Sequence, residues 1–207
     1  MNTIWTLVHA ERAALIEDLA CLSDGQWEHD SLCDGWTVHD VAAHLVDSAR
    51  TTRTGFVLGL ARARFNFDRQ NARGVAAARG ASPRVTLQHL REVAHRTSTP
   101  PAPLDTRLVE EVVHGEDIRR PLGIGHVYPQ EAVLRALRLQ ARTAASVGGS
   151  KELVAGLRLE ATDAELSIGD GPEVRGPALS LLVAITRRGA TISDLDGPGL
   201  AAWTATV

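Results

Sequence analysis

Residues 36–45 read WTVHDVAAHL, which predicts the start of a helix that carries a histidine among apolar residues. Thr37, with Asp40 three positions later, forms a capping-box pattern. We therefore expect a helix that begins there and runs to about Ala61, with His44 on it. Asp40 has two interpretations, a cap for this helix or a hydrogen-bond partner for His44, and the capping pattern favours the first.

A second segment, residues 109–114, reads VEEVVH and places Glu110 four positions before His114. That spacing puts the two side chains on one face of a helix, roughly 5–6 Å apart at Cβ. Together with His44 they would form a set of two nitrogen ligands and one oxygen ligand with one coordination position open, as in catalytic zinc sites. The same spacing is common on helices that bind no metal, so the spacing alone leaves both interpretations open.

The rest of the chain divides into a helical part and a mixed part. Apolar periodicity predicts helices at 3–22, 83–94, 105–120, 130–147 and 176–187. Residues 62–82 lack an apolar period and are expected to form a long loop or a broken helix. Alternating patterns predict strands at 157–162 and 164–168, and a short last strand at 191–195. The expected class is α+β, with a helical bundle over 1–124 and a smaller α+β domain over 129–207.

Composition and charge exclude several classes of protein. The net charge of the 207 residues is -3, and a dedicated nucleic-acid binder would carry a strong basic bias. Residues 61–100 nevertheless hold eight arginines, which we interpret as a basic channel for an acidic thiol or a dicarboxylate. No apolar run approaches the ~20 residues that span a bilayer, so no membrane partner is expected.

The two cysteines and the N-terminal segment bear on the compartment. Cys21 and Cys33 are too few for a disulfide framework, and the first residues lack the basic flank and apolar block of a signal peptide. We therefore expect a cytoplasmic protein. Cys33 precedes the helix that carries His44 and could be a nucleophile or a fourth ligand, although a small packing residue is the simpler interpretation.

These motifs together resemble the mycothiol-dependent maleylpyruvate isomerase family, within the DinB-like metalloprotein superfamily. The resemblance rests on WTVxDVxxHL at 36–45 and on ExVVHGEDIRxPLG at 110–123, and it extends through FDxxN at 67–71 and Ser82-Pro83. A weaker similarity, LLxxITxR at 181–188, covers the end of the chain. The resemblance implies an up-and-down four-helix bundle that holds a divalent metal, usually zinc, followed by a small C-terminal domain.

The resemblance also implies roles for individual residues. The metal ligands of the family fall on His44, Glu110 and His114. Asp117, three positions after His114, could orient that imidazole as a hydrogen-bond acceptor, or it could be a solvated carboxylate at the helix end. The following residues are candidates for substrate binding: Arg50, Arg53, Asn71 and Arg188.

The function that the resemblance implies is a metal-dependent isomerase or S-transferase. Its co-substrate would be mycothiol, the small thiol of actinobacteria, which would react as a metal-bound thiolate with an electrophilic small molecule. Two alternatives stay open: a hydrolase that uses metal-bound water, and a non-catalytic module for metal binding or sensing. The expected partners are the thiol and the electrophile, and the chain is expected to be a monomer or a homodimer.

Overall fold

The structure, a computed structural model, describes residues 3–204. The chain forms two compact units, one ending at His126 and the other beginning at Val127. The helices of the first unit are α1 (Thr3–Ala20), α2 (Asp24–Trp27), α3 (Val38–Arg50), α4 (Arg53–Arg62), α5 (Phe67–Ala78), α6 (Pro83–Val93) and α7 (Thr106–Arg119). The mostly helical content with one small sheet confirms the α+β class.

Four helices of the first unit form the bundle. α1 packs against α6 and α7, and α3 packs against the same two helices, so the four close into a ring. The apolar core lies between them and includes Leu15, Leu45 and Leu90, which are almost completely buried. α5 packs on the outside of α3, and α4 packs on α5. The site-bearing helices α3 and α7 are therefore neighbours within the bundle.

The predicted helix from 37 to 61 was wrong in one respect, because it is two helices. α3 begins after Thr37 as expected but ends at Arg50, and Thr51 has an extended backbone. Thr51 Oγ1 donates a hydrogen bond to the carbonyl of Asp47, and Thr52 Oγ1 accepts one from Gly55 N as the N-cap of α4. Two consecutive threonine hydroxyls thus satisfy backbone groups that a continuous helix would pair internally.

Of the two expectations for 62–82, a long loop or a broken helix, the long loop is wrong, since α5 occupies Phe67–Ala78. Asn66 caps this helix by accepting a hydrogen bond from Arg69 N. Only Val75 and Ala78 of α5 are buried. A helix that buries so little of its surface leaves no clear apolar period in the sequence, which is why periodicity did not reveal it.

Within the part of the chain that the structure describes, the second unit combines three α-helices with a small sheet. Its elements are α8 (Gln130–Arg142), β1 (Arg158–Ala161), β2 (Ser167–Ile168), β3 (Glu173–Gly176), α9 (Ala178–Ile185) and α10 (Leu200–Thr204). β1 lies between antiparallel β2 and parallel β3, with Leu159 opposite both Ile168 and Val174. The predicted strand at 191–195 was wrong, because residues Gly189–Asp194 form a 3₁₀ helix that packs on α9. β3 was not predicted.

No helix among residues 3–204 has the length and apolar character required to span a bilayer.

A buried ion pair joins α1 to α7 in the bundle. Arg12 Nε donates to Glu111 Oε1 at 2.8 Å, and both side chains are nearly inaccessible to solvent. Arg12 also donates to the carbonyls of Ala94 and Arg96 beyond the end of α6. One guanidinium therefore connects three helices of the bundle.

We predict that Glu111→Ala lowers the free energy of unfolding of the first unit by about 3–5 kcal/mol, because it leaves the Arg12 charge buried and unpaired. Denaturant unfolding followed by tryptophan fluorescence measures the loss. Glu92→Ala, which removes an exposed acceptor of Gln88, is the control and should cost less than about 0.5 kcal/mol. Equal effects of the two substitutions would contradict this role of the ion pair.

Candidate functional site

Two neighbouring helices bring His44, Glu110 and His114 together. His44 Nε2 lies 3.1 Å from Glu110 Oε2, and His114 Nε2 lies 3.8 Å from the same oxygen. One donor atom from each residue falls within 4.8 Å of the other two. The two imidazole rings meet edge to face with centroids 4.7 Å apart. The cluster has the composition and proximity that could hold a divalent cation.

Local structure explains how each side chain reaches the cluster. The capping box of α3 fixes where that helix starts, and His44 lies two turns later on the face toward α7. On α7, Glu110 and His114 are one turn apart and so share a face, as the spacing predicts. The Glu111 side chain instead accepts a hydrogen bond from Arg12. The two adjacent glutamates of α7 therefore lie on different faces of the helix.

Hydrogen bonds set the proton positions of one imidazole. His114 Nδ1 lies 2.8 Å from Asp117 Oδ2, and the Asp117 side chain is fully buried. A carboxylate can only accept here, so Nδ1 carries the proton and the lone pair of Nε2 is left for a ligand. Asp117 thus has the contact expected of a group that orients His114.

The His44 ring is positioned by packing. Its Nδ1 is buried and has no hydrogen-bond partner among the described residues. The Trp36 ring lies against it with centroids 5.3 Å apart. Trp36 therefore holds the imidazole sterically, whereas Asp117 holds His114 by a hydrogen bond.

Charges around Glu110 stabilise its ionised form. Burial raises the pKa of Glu110, but the His44 hydrogen bond and the electrostatic interactions with His44, Arg107 and His114 outweigh it, and the pKa falls well below its usual range. Arg107 is buried, its Nη2 lies 3.8 Å from Glu110 Oε1, and its Nη1 donates to Ser48 Oγ on α3. Arg107 was not predicted from the sequence as a site residue. Its position three residues before Glu110 places the two side chains on one face of the helix and could have indicated the pairing.

Asp40 lies near this region but contacts other groups. Its carboxylate accepts hydrogen bonds from Thr37 N and Thr37 Oγ1, and Arg79 Nη1 donates to it at 2.6 Å. The alternative in which Asp40 pairs with His44 is therefore wrong. Burial raises the pKa of Asp40, but the Thr37 hydrogen bonds and Arg79 outweigh it, and the net shift is downward.

The remaining candidates do not converge on the cluster. Arg50 and Arg53 are exposed at the end of α3 and the start of α4, and Asn71 is half-buried on α5. Arg188 belongs to the second unit, where its Nη1 donates to the Thr186 carbonyl. Cys33 is the exception, because it is half-buried beside the cluster, with Sγ within 4.8 Å of donor atoms of His114 and Asp117.

The first unit is a helical bundle with a polar cluster on facing helices, the usual way in which bundles build metal and cofactor sites. Residues 8–105 match the family model described as the mycothiol maleylpyruvate isomerase N-terminal domain. The N-terminal half of the chain is therefore similar to this domain.

Solved structures agree on the fold. The chain superposes with a TM-score of 0.67 on the crystal structure of the mycothiol-dependent maleylpyruvate isomerase, at 15% sequence identity over 95% of this chain and 92% of the other. A histidine-to-alanine mutant of that enzyme matches with the same TM-score and coverage at 14% identity. Among curated proteins, none matches this sequence significantly.

We predict that Asp40→Asn lowers stability at pH 7 by about 1 kcal/mol, because it removes a carboxylate that caps α3 and pairs with Arg79. The pKa of Asp40 is lowered by folding, so the stabilisation is present above the unfolded pKa of about 3.9 and is lost as pH falls through the lower folded value. Denaturation from pH 7 to pH 3 should therefore show the gap between wild type and variant closing. Asp34→Asn, in an exposed loop, should show no gap, and a gap constant with pH would contradict the assignment.

Proposed function

We propose that this chain is a metal-dependent enzyme that uses a small thiol, with mycothiol as the natural co-substrate, to isomerise or conjugate an electrophilic molecule. The single observation that carries the proposal is the convergence of His44, Glu110 and His114 within a bundle whose residues 8–105 match the model of the isomerase N-terminal domain. A conjugating enzyme and an isomerase share the first step, the addition of the thiol, so the proposal covers both.

The donor atoms suit a divalent ion such as zinc. Ligand atoms about 2.0–2.1 Å from zinc at tetrahedral angles lie about 3.3 Å from one another. The two separations from Glu110 Oε2, 3.1 Å to His44 Nε2 and 3.8 Å to His114 Nε2, bracket that value. Three protein ligands leave a fourth position for an exogenous group, and a mixed imidazole and carboxylate set also suits iron and nickel.

When bound, a divalent cation would supply positive charge that favours a thiolate over a thiol at neutral pH. The residues of the chain would do the rest. Glu110 would enter as a carboxylate, because its neighbours hold its pKa low. Asp117 would keep the Nε2 lone pair of His114 directed at the cluster, and Arg107 would hold Glu110 in place from the side of Ser48.

The carbon chemistry follows from thiol addition to a conjugated double bond. Addition of the sulfur to one alkene carbon converts the double bond to a single bond, about which the molecule can rotate. Elimination of the same thiol then restores the double bond in the other geometry, with no net consumption of thiol. If the enolate formed by the addition is instead protonated and the adduct is then released, the product is a thioether and the reaction is a conjugation.

We predict that the purified protein carries about one divalent ion per chain, and that His44→Ala or His114→Ala removes most of it because two ligands bind zinc weakly. Metal analysis after gel filtration measures the occupancy. His29→Ala is the matched control, since His29 is exposed and its side chain hydrogen-bonds, among the described residues, only to the Asp30 carbonyl, and it should keep full occupancy. Full metal content in His44→Ala would refute the assignment of the ligands.

We further predict that thiol addition to a simple electrophile rises with pH through an apparent pKa below the ~8.5 of a free thiol. Each unit of that depression corresponds to about 1.4 kcal/mol of preference for the thiolate. Activity should disappear on chelation and return with added zinc. Turnover of the electrophile at the full rate without thiol would identify a hydrolase, and metal binding without any turnover would identify a binding or sensing module.

A further inference from the structure

Asp47 is a carboxylate beside the candidate metal cluster. It lies on α3 three residues after His44, a spacing that places the two side chains on one face of the helix. Its electrostatic interactions reach both His44 and Glu110, so it is close to the side of the cluster that α7 supplies as well. The thiol reaction proposed above gives this carboxylate no role.

The Asp47 carboxylate is held in place without a polar partner. It accepts no hydrogen bond and forms no ion pair among residues 3–204, and the residue is half-buried. The backbone of α5 lies against it at Gly74, where a Cβ would overlap the carboxylate. The glycine therefore leaves room for the carboxylate between α3 and α5, and a larger residue at position 74 would displace it.

A cavity of about 240 Å³ opens beside Asp47, between the end of α3, α4 and α5. Since a water molecule takes about 30 Å³ in the liquid, the cavity has room for roughly eight non-hydrogen atoms. Phe56 supplies an apolar part of its wall. The exposed residues Gly55, Arg62 and Arg73 also line it, so water reaches the cavity. A small electrophile therefore has space next to the Asp47 carboxylate.

The surroundings of Asp47 are those of a group that exchanges protons. Burial is the largest influence and raises the pKa of Asp47, while His44 and Arg50 oppose the shift and Glu110 adds to it. A carboxyl whose pKa is shifted toward neutrality, and which lies unpaired at a cavity, is the usual kind of general acid. Asp47 has both the position and the environment that such a group requires.

We propose that Asp47 protonates the thiol adduct at carbon, which makes the chain a conjugating enzyme and not an isomerase. This role rests on the proposed function, because it decides which way the adduct reacts. Addition of sulfur to one alkene carbon leaves an enolate. Without a proton donor, the enolate rotates and expels the thiol, and the alkene is isomerised. With Asp47 beside the α-carbon, that carbon is protonated first and the thioether is the product.

The bonds and protons of this step balance. The thiolate electron pair forms the S–C bond, and the electrons of the double bond become the enolate. The enolate pair then forms a C–H bond with the proton of Asp47. The proton that the thiol loses on binding passes to water, and the Asp47 carboxylate takes one up from the water in the cavity. The thiol thus adds across the double bond, and no oxidant or reductant is required.

The test uses mycothiol and diethyl maleate, a cis alkene whose two possible products are easily separated. Conjugation gives a thioether, and isomerisation gives diethyl fumarate. Analysis of the initial products should show the thioether as the main product of the wild type. In D₂O, the deuterium at the α-carbon should occupy only one of the two positions there, because a fixed donor delivers it from one side.

Asp47→Asn should lower the rate of thioether formation about a hundredfold or more, the usual contribution of a general acid. Diethyl fumarate should become the main product, and deuterium should enter both positions of the remaining thioether. Gly74→Ala, which keeps the carboxyl but displaces it, should shift the products in the same direction. Metal content equal to that of the wild type shows that each variant is folded with its cluster intact.

Asp68→Asn is the matched control, because Asp68 is an exposed aspartate on α5 that does not line the cavity. It should change the rate and the product ratio by no more than about twofold.

Three results would each overturn the role of Asp47: diethyl fumarate as the main product of the wild type, an unchanged rate and product ratio in Asp47→Asn, or an equal effect of Asp68→Asn. The first needs no variant, so it decides even where a substitution prevents folding. Each can occur while turnover still requires the thiol and the metal, and would then count against Asp47 alone. Absence of thiol-dependent turnover in the wild type would overturn the proposed function, and this role with it.

Discussion

The ion pair between Arg12 and Glu111 sets the rotation of α7 about its own axis, and the candidate site depends on that rotation. Adjacent residues on a helix are about 100° apart, so with Glu111 held against α1, Glu110 must face a different neighbour. That neighbour is α3, where His44 lies. A small rotation of α7 would remove Glu110 and His114 from His44 and would expose a buried charge at the same time. The stability of the bundle and the geometry of the cluster therefore rest on the same contact.

The charges on α7 are arranged in pairs that leave little net charge in the interior. Arg119 is paired with Asp18 on α1, and Arg120 with Glu116 one turn earlier. Arg107 shares its charge between Glu110 and the groups of Ser48. A buried charge without a partner would cost several kcal/mol. The pairing explains how one helix can bury so many ionisable residues and still present two of them, Glu110 and His114, to a polar cluster.

The sequence predicts those parts of the fold and site that depend on local rules. The Thr37–Asp40 capping pattern places the start of α3, and the resemblance to the family, which has the acid four residues before the histidine, selects Glu110 over Glu111. The roles of the residues around the cluster could not be predicted from such local rules, because Trp36, Arg107 and Asp47 acquire them only through packing between helices. α5 was missed for a similar reason: it lies on the outside of α3 and buries only Val75 and Ala78. Strand β3 is only four residues long, and it pairs with β1 although β2 lies between them in the sequence. Its alternating pattern is too short to predict a strand.

The break in the helix after Arg50 creates the space that lies next to the candidate metal cluster. A continuous helix from 38 to 62 would extend about 37 Å in one direction and would carry residues 53–62 away from α5. The two threonines at 51 and 52 end α3 and start α4 instead, and α4 packs on α5. This change of direction encloses the space beside Asp47, one turn from His44. A pair of backbone-binding hydroxyls, inconspicuous in the sequence, therefore creates a polar cavity next to the candidate metal cluster, while the apolar pattern of the segment would have favoured an uninterrupted helix.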